Sequence, residues 1–168
     1  PHTPPFPPHP ISPVKRVLLA VILTVLCPLV MAQGSAEAGA SKVTACGACH
    51  GPSGNDSILP NVPKLGGQGE RYLLKQLTDI QSGVRAVPLM AGQLNAFNEQ
   101  DMADIAAYYA SQAAPMGAAE EDKVALAEKL YRAGDASIGV AACSACHAPN
   151  GKGNAAAGYP ADRQSTRR

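Results

Sequence analysis

Tryptophan is absent from the chain, and only 4% of its 168 residues are aromatic. A module of under about 90 residues built this way buries too little apolar surface to be comfortable alone, so some further source of core is needed. Charge is also in short supply: 14 Lys and Arg stand against 13 Asp and Glu, a formal net charge of +1. That balance argues against a nucleic-acid partner and against strong attraction to an anionic membrane. No stretch alternates apolar and polar residues as a strand should, so the expected class is all-α, with long loops. Histidine is scarce, with four residues in all, two of them (His2 and His9) in a Pro-rich N-terminus that carries no other metal-ligand residue type nearby. The other two belong to the motifs described next, leaving no spare imidazole for a general acid or base. The expectation is therefore a protein that is not an enzyme.

What the chain does have is a repeated pentapeptide. Cys46-Gly47-Ala48-Cys49-His50 recurs as Cys143-Ser144-Ala145-Cys146-His147, and C-x-x-C-H is the attachment signature of c-type haem. Two thiols at this spacing reach the two vinyl groups on one porphyrin edge, and the next side chain lies under the iron as its proximal ligand. Cys46, Cys49, Cys143 and Cys146 are thus expected to hold two covalent haem c groups, with His50 and His147 as axial ligands. A buried haem would supply the missing core. Every Cys except Cys27 belongs to one of the pairs. A tetrahedral zinc site made by the four thiols is the competing reading, but it leaves both histidines unexplained and needs a separation far longer than zinc ribbons use. Thiol exchange lacks its βαβ pattern.

Cys46 and Cys143 are 97 positions apart, and the same offset relates Pro52 to Pro149, Gly54 to Gly151 and Pro63 to Pro160. An ungapped repeat on this scale means two copies of one module. Residues 1–13 have neither a starting Met nor periodicity and are expected to be a disordered or untranslated extension. Lys15, Arg16 and the apolar run to Val30-Met31-Ala32 then form a secretory signal peptide over 14–32, with Pro28 breaking its helix and Cys27 discarded with it; a retained anchor is the competing reading. The rest is exported. It divides into a first domain at 33–112, a linker at 113–121 and a second domain at 122–168.

Ala36 to Ala45 is Ala-rich and should form a helix leading into the first motif. ERYLLKQLTDIQSG places Tyr72, Leu73, Gln76, Leu77 and Ile80 on one stripe closed by Gly83. Asn98 can cap a third helix with Asp101 three residues on, and Met102, Ile105, Ala106 and Tyr109 form its inward stripe. EEDKVALAEKLYRAG repeats the pattern with Val124, Ala127, Leu130 and Tyr131, ending at Gly134. Between the second and third helices lies Met90, in a loop with Pro88 and Gly92 that can aim one side chain inward, where a thioether would complete the iron's coordination. Met31, Met102 and Met116 fit other roles. Pro63 lies 13 residues after His50 and Pro160 lies 13 after His147; each keeps a carbonyl that can accept the bond from the imidazole's other nitrogen.

These segments (ACGACHGPSGN, PKLGGQGERYLLKQL, the Met90 loop, DIAAYYASQ and ACSACHAPNGKGNAAAGYPA) resemble the dihaem cytochrome c4 family across almost the whole exported chain. The resemblance implies two tandem class I cytochrome c domains, each haem with His and Met ligands, acting in the periplasm or on the outer face of the inner membrane. It also implies a bc1-type donor and a terminal oxidase as acceptor, commonly of the cbb3 type. One departure stands out: after Pro160 the family pattern continues with a glutamine-glycine loop, a helix, a second Met loop and a final helix, whereas this chain reads ADRQSTRR. The counterpart of Met90 falls 19 residues past the last residue. The second domain is therefore expected to be incomplete, from a truncated or frame-shifted gene or as a variant with an open second haem. The latter would suit a haem peroxidase or small-ligand sensor at His147, the alternative from a different functional class.

Overall fold

The computed structural model describes residues 33–59, 61–114 and 119–162. The extension expected at 1–13, the signal peptide expected at 14–32 with Cys27 and Met31, and Met116 in the expected linker lie outside the described residues.

Ser35 opens helix α1 (Ala36–Ala40), its side chain accepting the Ala38 N–H. Helix α2 (Thr44–His50) carries the first motif and ends on His50 itself. The single helix expected over Ala36 to Ala45 is thus two short ones. The chain turns between them, where the Lys42 N–H bonds to the Gly39 carbonyl and the Ser41 hydroxyl bonds to the Ala38 carbonyl. Helix α3 (Glu70–Gln81) follows, then a short 3₁₀ turn at Pro88–Met90. Helix α4 (Glu99–Ser111) begins with a reciprocal cap: Asn98 accepts the Asp101 N–H, and the Asp101 carboxylate accepts the Asn98 N–H. In the second half, α5 (Glu121–Ala133) precedes a 3₁₀ turn at Ala136–Ile138 and the four-residue helix α6 (Ser144–His147). No strand occurs among the described residues; two isolated bridges, Asp135 with Val140 and Asn154 with Tyr159, close turns. No helix among them is long and apolar enough to cross a membrane.

Helix α4 is the centre of the core. Helices α1 and α3 both pack on it, and its stripe of Met102, Ile105, Ala106 and Tyr109 is buried as the 3.6-residue period requires. Burial of a side chain such as Ile105 contributes about 1.5–3 kcal/mol. Val43 and Leu73 complete this core, with Cys46 packed at its edge, so the first motif is anchored directly to it. The α1–α4 crossing is close enough to require glycine: a Cβ on Gly39 would lie 2.1 Å from the Asp104 carbonyl oxygen. Charge secures the same crossing. Lys42 Nζ lies 2.7 Å from Asp101 and 2.5 Å from Asp104, and Asp104 also accepts from the Ser35 N–H and from Gln100. Asp104 is buried, and its carboxyl is pushed down to about 2, chiefly by the Lys42 ammonium and then by the two amide donors.

The stripe expected on α5 does not become a core. Val124 and Ala127 are exposed, Leu130 and Tyr131 half-buried, because among the described residues the packing partner of α5 is the short α6. Gly134, with φ 68°, ends α5 as expected.

Candidate haem sites

On α2, Cys46 and Cys49 lie three positions apart and so share one side of the helix. Both are free thiols, Cys46 half-buried and Cys49 exposed. Burial pushes the Cys46 thiol up, partly countered by the Tyr109 hydroxyl beside it. That hydroxyl is buried without a nitrogen or oxygen partner, and burial raises its pKa further. His50, the last residue of α2, is buried at 7% exposure. Its Nδ1 lies 2.8 Å from the Pro63 carbonyl oxygen, which fixes the ring and leaves Nε2 as the nitrogen available to coordinate iron.

The second motif repeats this geometry. Cys143 caps α6 and Cys146 lies within it; both are free thiols. His147 Nδ1 lies 2.9 Å from the Pro160 carbonyl oxygen, again across 13 residues. Two features differ. An Asp162 carboxylate oxygen lies 2.9 Å from the same nitrogen, and burial raises the Asp162 pKa while His147 pulls it down. Residue 148 is Ala where the first copy has Gly51, yet it keeps the same backbone conformation, φ 65° and ψ 156° against 79° and 158°. That region is essentially reserved for glycine and costs an alanine about 1–3 kcal/mol. The Tyr131 hydroxyl, 2.6 Å from the Ala148 carbonyl, helps to hold the turn.

Met90 ends the 3₁₀ turn at Pro88–Met90 and is half-buried, with Gly92 at φ 78° completing the loop. It lines a cavity of about 280 Å³ together with Ile80, Pro88 and Leu94. Cys46, Cys49 and His50 are not among that cavity's walls, so it lies beside the loop rather than under the motif. No hydrogen bond or ring contact joins Met90 to His50 among the described residues.

Covalent haem fits this donor set. The thiols are unpaired and spaced along one helix side, one imidazole nitrogen is committed to a carbonyl, and Ile58, whose N–H bonds to the Cys49 carbonyl, leaves its apolar side chain 66% exposed beside the motif. A flat apolar group would cover such a side chain. Among the described residues no three His, Cys, Asp or Glu gather as a metal cluster, so the four thiols do not build the tetrahedral zinc site weighed above. Sequence reasoning missed Tyr159, whose ring centroid is 6.0 Å from that of His147, and Gln68, whose side chain is one of few buried polar ones. Neither has a local pattern that would have marked it.

Helical folding around C-x-x-C-H turns with carbonyl-supported histidines defines a c-type cytochrome. The cytochrome c family profile matches residues 36–113. Cytochrome c4 of Azotobacter vinelandii is 48% identical over 155 residues, covering 86% of this chain and 73% of that protein. Cytochrome c4 of Pseudomonas aeruginosa is 51% identical over 146 residues, covering 86% and 72%. The crystal structure of reduced recombinant cytochrome c4 from Pseudomonas stutzeri superposes with a TM-score of 0.71 at 51% identity, covering 76% of this chain and 72% of that one. The chain belongs to the cytochrome c4 family. It is an electron-transfer protein that carries covalently bound haem c.

Proposed function

We propose that this cytochrome works in the periplasm as a dihaem carrier, taking electrons from a bc1-type complex and delivering them to a terminal oxidase, commonly of the cbb3 type. The observation that best supports a two-site carrier is the duplicated histidine support: both motif imidazoles meet a proline carbonyl 13 residues on, at 2.8 and 2.9 Å. Bound haem c supplies a reversible one-electron couple. The chain's own residues do the rest. Cys46 and Cys49 tether the first porphyrin, Cys143 and Cys146 the second, and His50 and His147 ligate the irons. Pro63 and Pro160 orient those two rings. Met90 would supply the thioether ligand of the first iron, a role supported by its place on the Pro88–Met90 turn between α3 and α4, which Gly92 completes. Export to the periplasm is supported by the basic-then-apolar pattern from Lys15 to Ala32.

The test is expression of the full chain with haem-attachment machinery. Intact mass should rise by two haems, and the reduced protein should be oxidised by membranes that contain a cbb3-type oxidase but not by membranes lacking it. A mass gain of one haem would remove the second site, and equal rates with both membranes would remove the oxidase from the proposal.

A further inference from the structure

The loop that supports His50 runs on from Pro63 to Gln68 and is closely held. Leu65 N–H donates to the Gly54 carbonyl at 2.7 Å, and Gly67 N–H donates to the Tyr109 carbonyl at 2.8 Å. At its end the Gln68 side chain is buried, with the residue 8% exposed. Its Oε1 accepts from its neighbour Gly69 N–H at 2.8 Å and from Ala161 N–H at 2.7 Å, and its Nε2 donates to the Ala161 carbonyl at 3.1 Å. One amide side chain therefore satisfies both backbone groups of a residue 93 positions away. Ala161 directly follows Pro160, whose carbonyl supports His147. The Gln68 clamp thus joins the two loops on which the motif histidines rest. Arg71, one residue into α3, adds a longer contact to the Ala156 carbonyl at 3.5 Å.

We infer that Gln68 is a positioning residue that locks the two histidine-supporting loops together, so that the two C-x-x-C-H segments keep one fixed mutual geometry. The chemistry suits the task. A carboxamide offers donor and acceptor in one plane, as a peptide group requires, and burial makes the loss of either bond costly. Asparagine keeps the amide but is one methylene shorter, so it cannot reach both Ala161 groups from the same backbone. Glutamate keeps the acceptor and loses the donor. The consequence for function rests on the two-haem reading: with the clamp intact, an electron placed on one haem equilibrates with the other over an unchanging separation.

The experiment compares the full-length holoprotein with its Gln68→Ala, Gln68→Asn and Gln68→Glu variants. Amide hydrogen exchange reads the clamp directly. Protection at the Ala161 N–H should fall roughly 5- to 150-fold in the Ala and Asn variants, and less in the Glu variant. Rapid reduction of one haem, followed by concentration-independent re-equilibration, reads the consequence, and this step should slow in the same order while the spectrum of each haem stays as it was. A merely structural residue would lower unfolding stability without ordering the inter-haem rates by side-chain chemistry. Unchanged Ala161 protection in the Ala and Asn variants overturns the clamp, and unchanged re-equilibration with lost protection overturns its positioning role. Intact mass separately reports haem content, so failure of the two-haem reading is not confused with failure of the clamp.

Discussion

Replacing Asp104 by Asn should make the protein lose an acid-dependent part of its stability. Asp104 is buried on α4 and faces Lys42, the Ser35 N–H and Gln100; its carboxyl is pushed from 3.8 down to about 2, with Lys42 the largest cause. Because the folded value lies below the unfolded one, the stabilisation is fully present above about pH 4 and is lost as the pH falls through about 2. A displacement of this size corresponds to roughly 2.5 kcal/mol. The Lys42 side chain is 24% exposed, so solvent screening reduces that to about 1–2 kcal/mol. Asp101 shares the same ammonium and is also lowered by it, so some acid dependence survives in the variant. The difference between the two proteins isolates Asp104. Urea unfolding of both holoproteins, followed by far-UV circular dichroism from pH 7 to pH 2, should show Asp104→Asn about 1–2 kcal/mol less stable at pH 7 and nearly level with the parent at the acid end. A gap of the same size at both ends would refute the reasoning, because it would mean that packing rather than the ionised pair supplies the stability.

Three further outcomes are expected. Gly39→Ala forces a methyl to within 2.1 Å of the Asp104 carbonyl, and the separation of α1 from α4 should cost about 1–3 kcal/mol by thermal unfolding; a neutral result would mean that the two helices can part freely. Ala148→Gly relieves a backbone at φ 65° and ψ 156°, so chemical denaturation should show a gain of about 1 kcal/mol once glycine's extra unfolded-state entropy is subtracted, and a loss would show that the turn is not strained. Met90→Ala should abolish the thioether-to-iron absorption band of the first haem while both haems stay attached; a persisting band would remove Met90 from the site.

Much of the site was legible in the sequence because its chemistry is local. C-x-x-C-H places two thiols and an imidazole within five consecutive residues, and any helical turn then brings the sulfurs to one side. Asn98 and Asp101 are equally local, their cap needing only the first turn of α4. The proline carbonyls were reachable at longer range because the repeat printed the same 13-residue spacing twice. Other features resisted. The helix expected from Ala36 to Ala45 broke into α1 and α2, since composition favours helix throughout and only the crossing over α4 requires the turn. The inward stripe expected on α5 is a pattern awaiting a partner, and α6 covers little of it.

The sequence by itself determined that this chain carries haem c, that it is helical, and which carbonyls meet the two motif histidines, because each of these is written in residues a turn or a repeat apart. Only the tertiary structure decided that Lys42 would neutralise Asp104 across 62 positions, that Gly39 would sit against α4, and that Gln68 would grip Ala161 across 93. The physical reason is that such pairs carry no periodic signal. A buried amide or carboxylate finds its partner only when the chain closes its loops, and desolvation then makes the partnership obligatory.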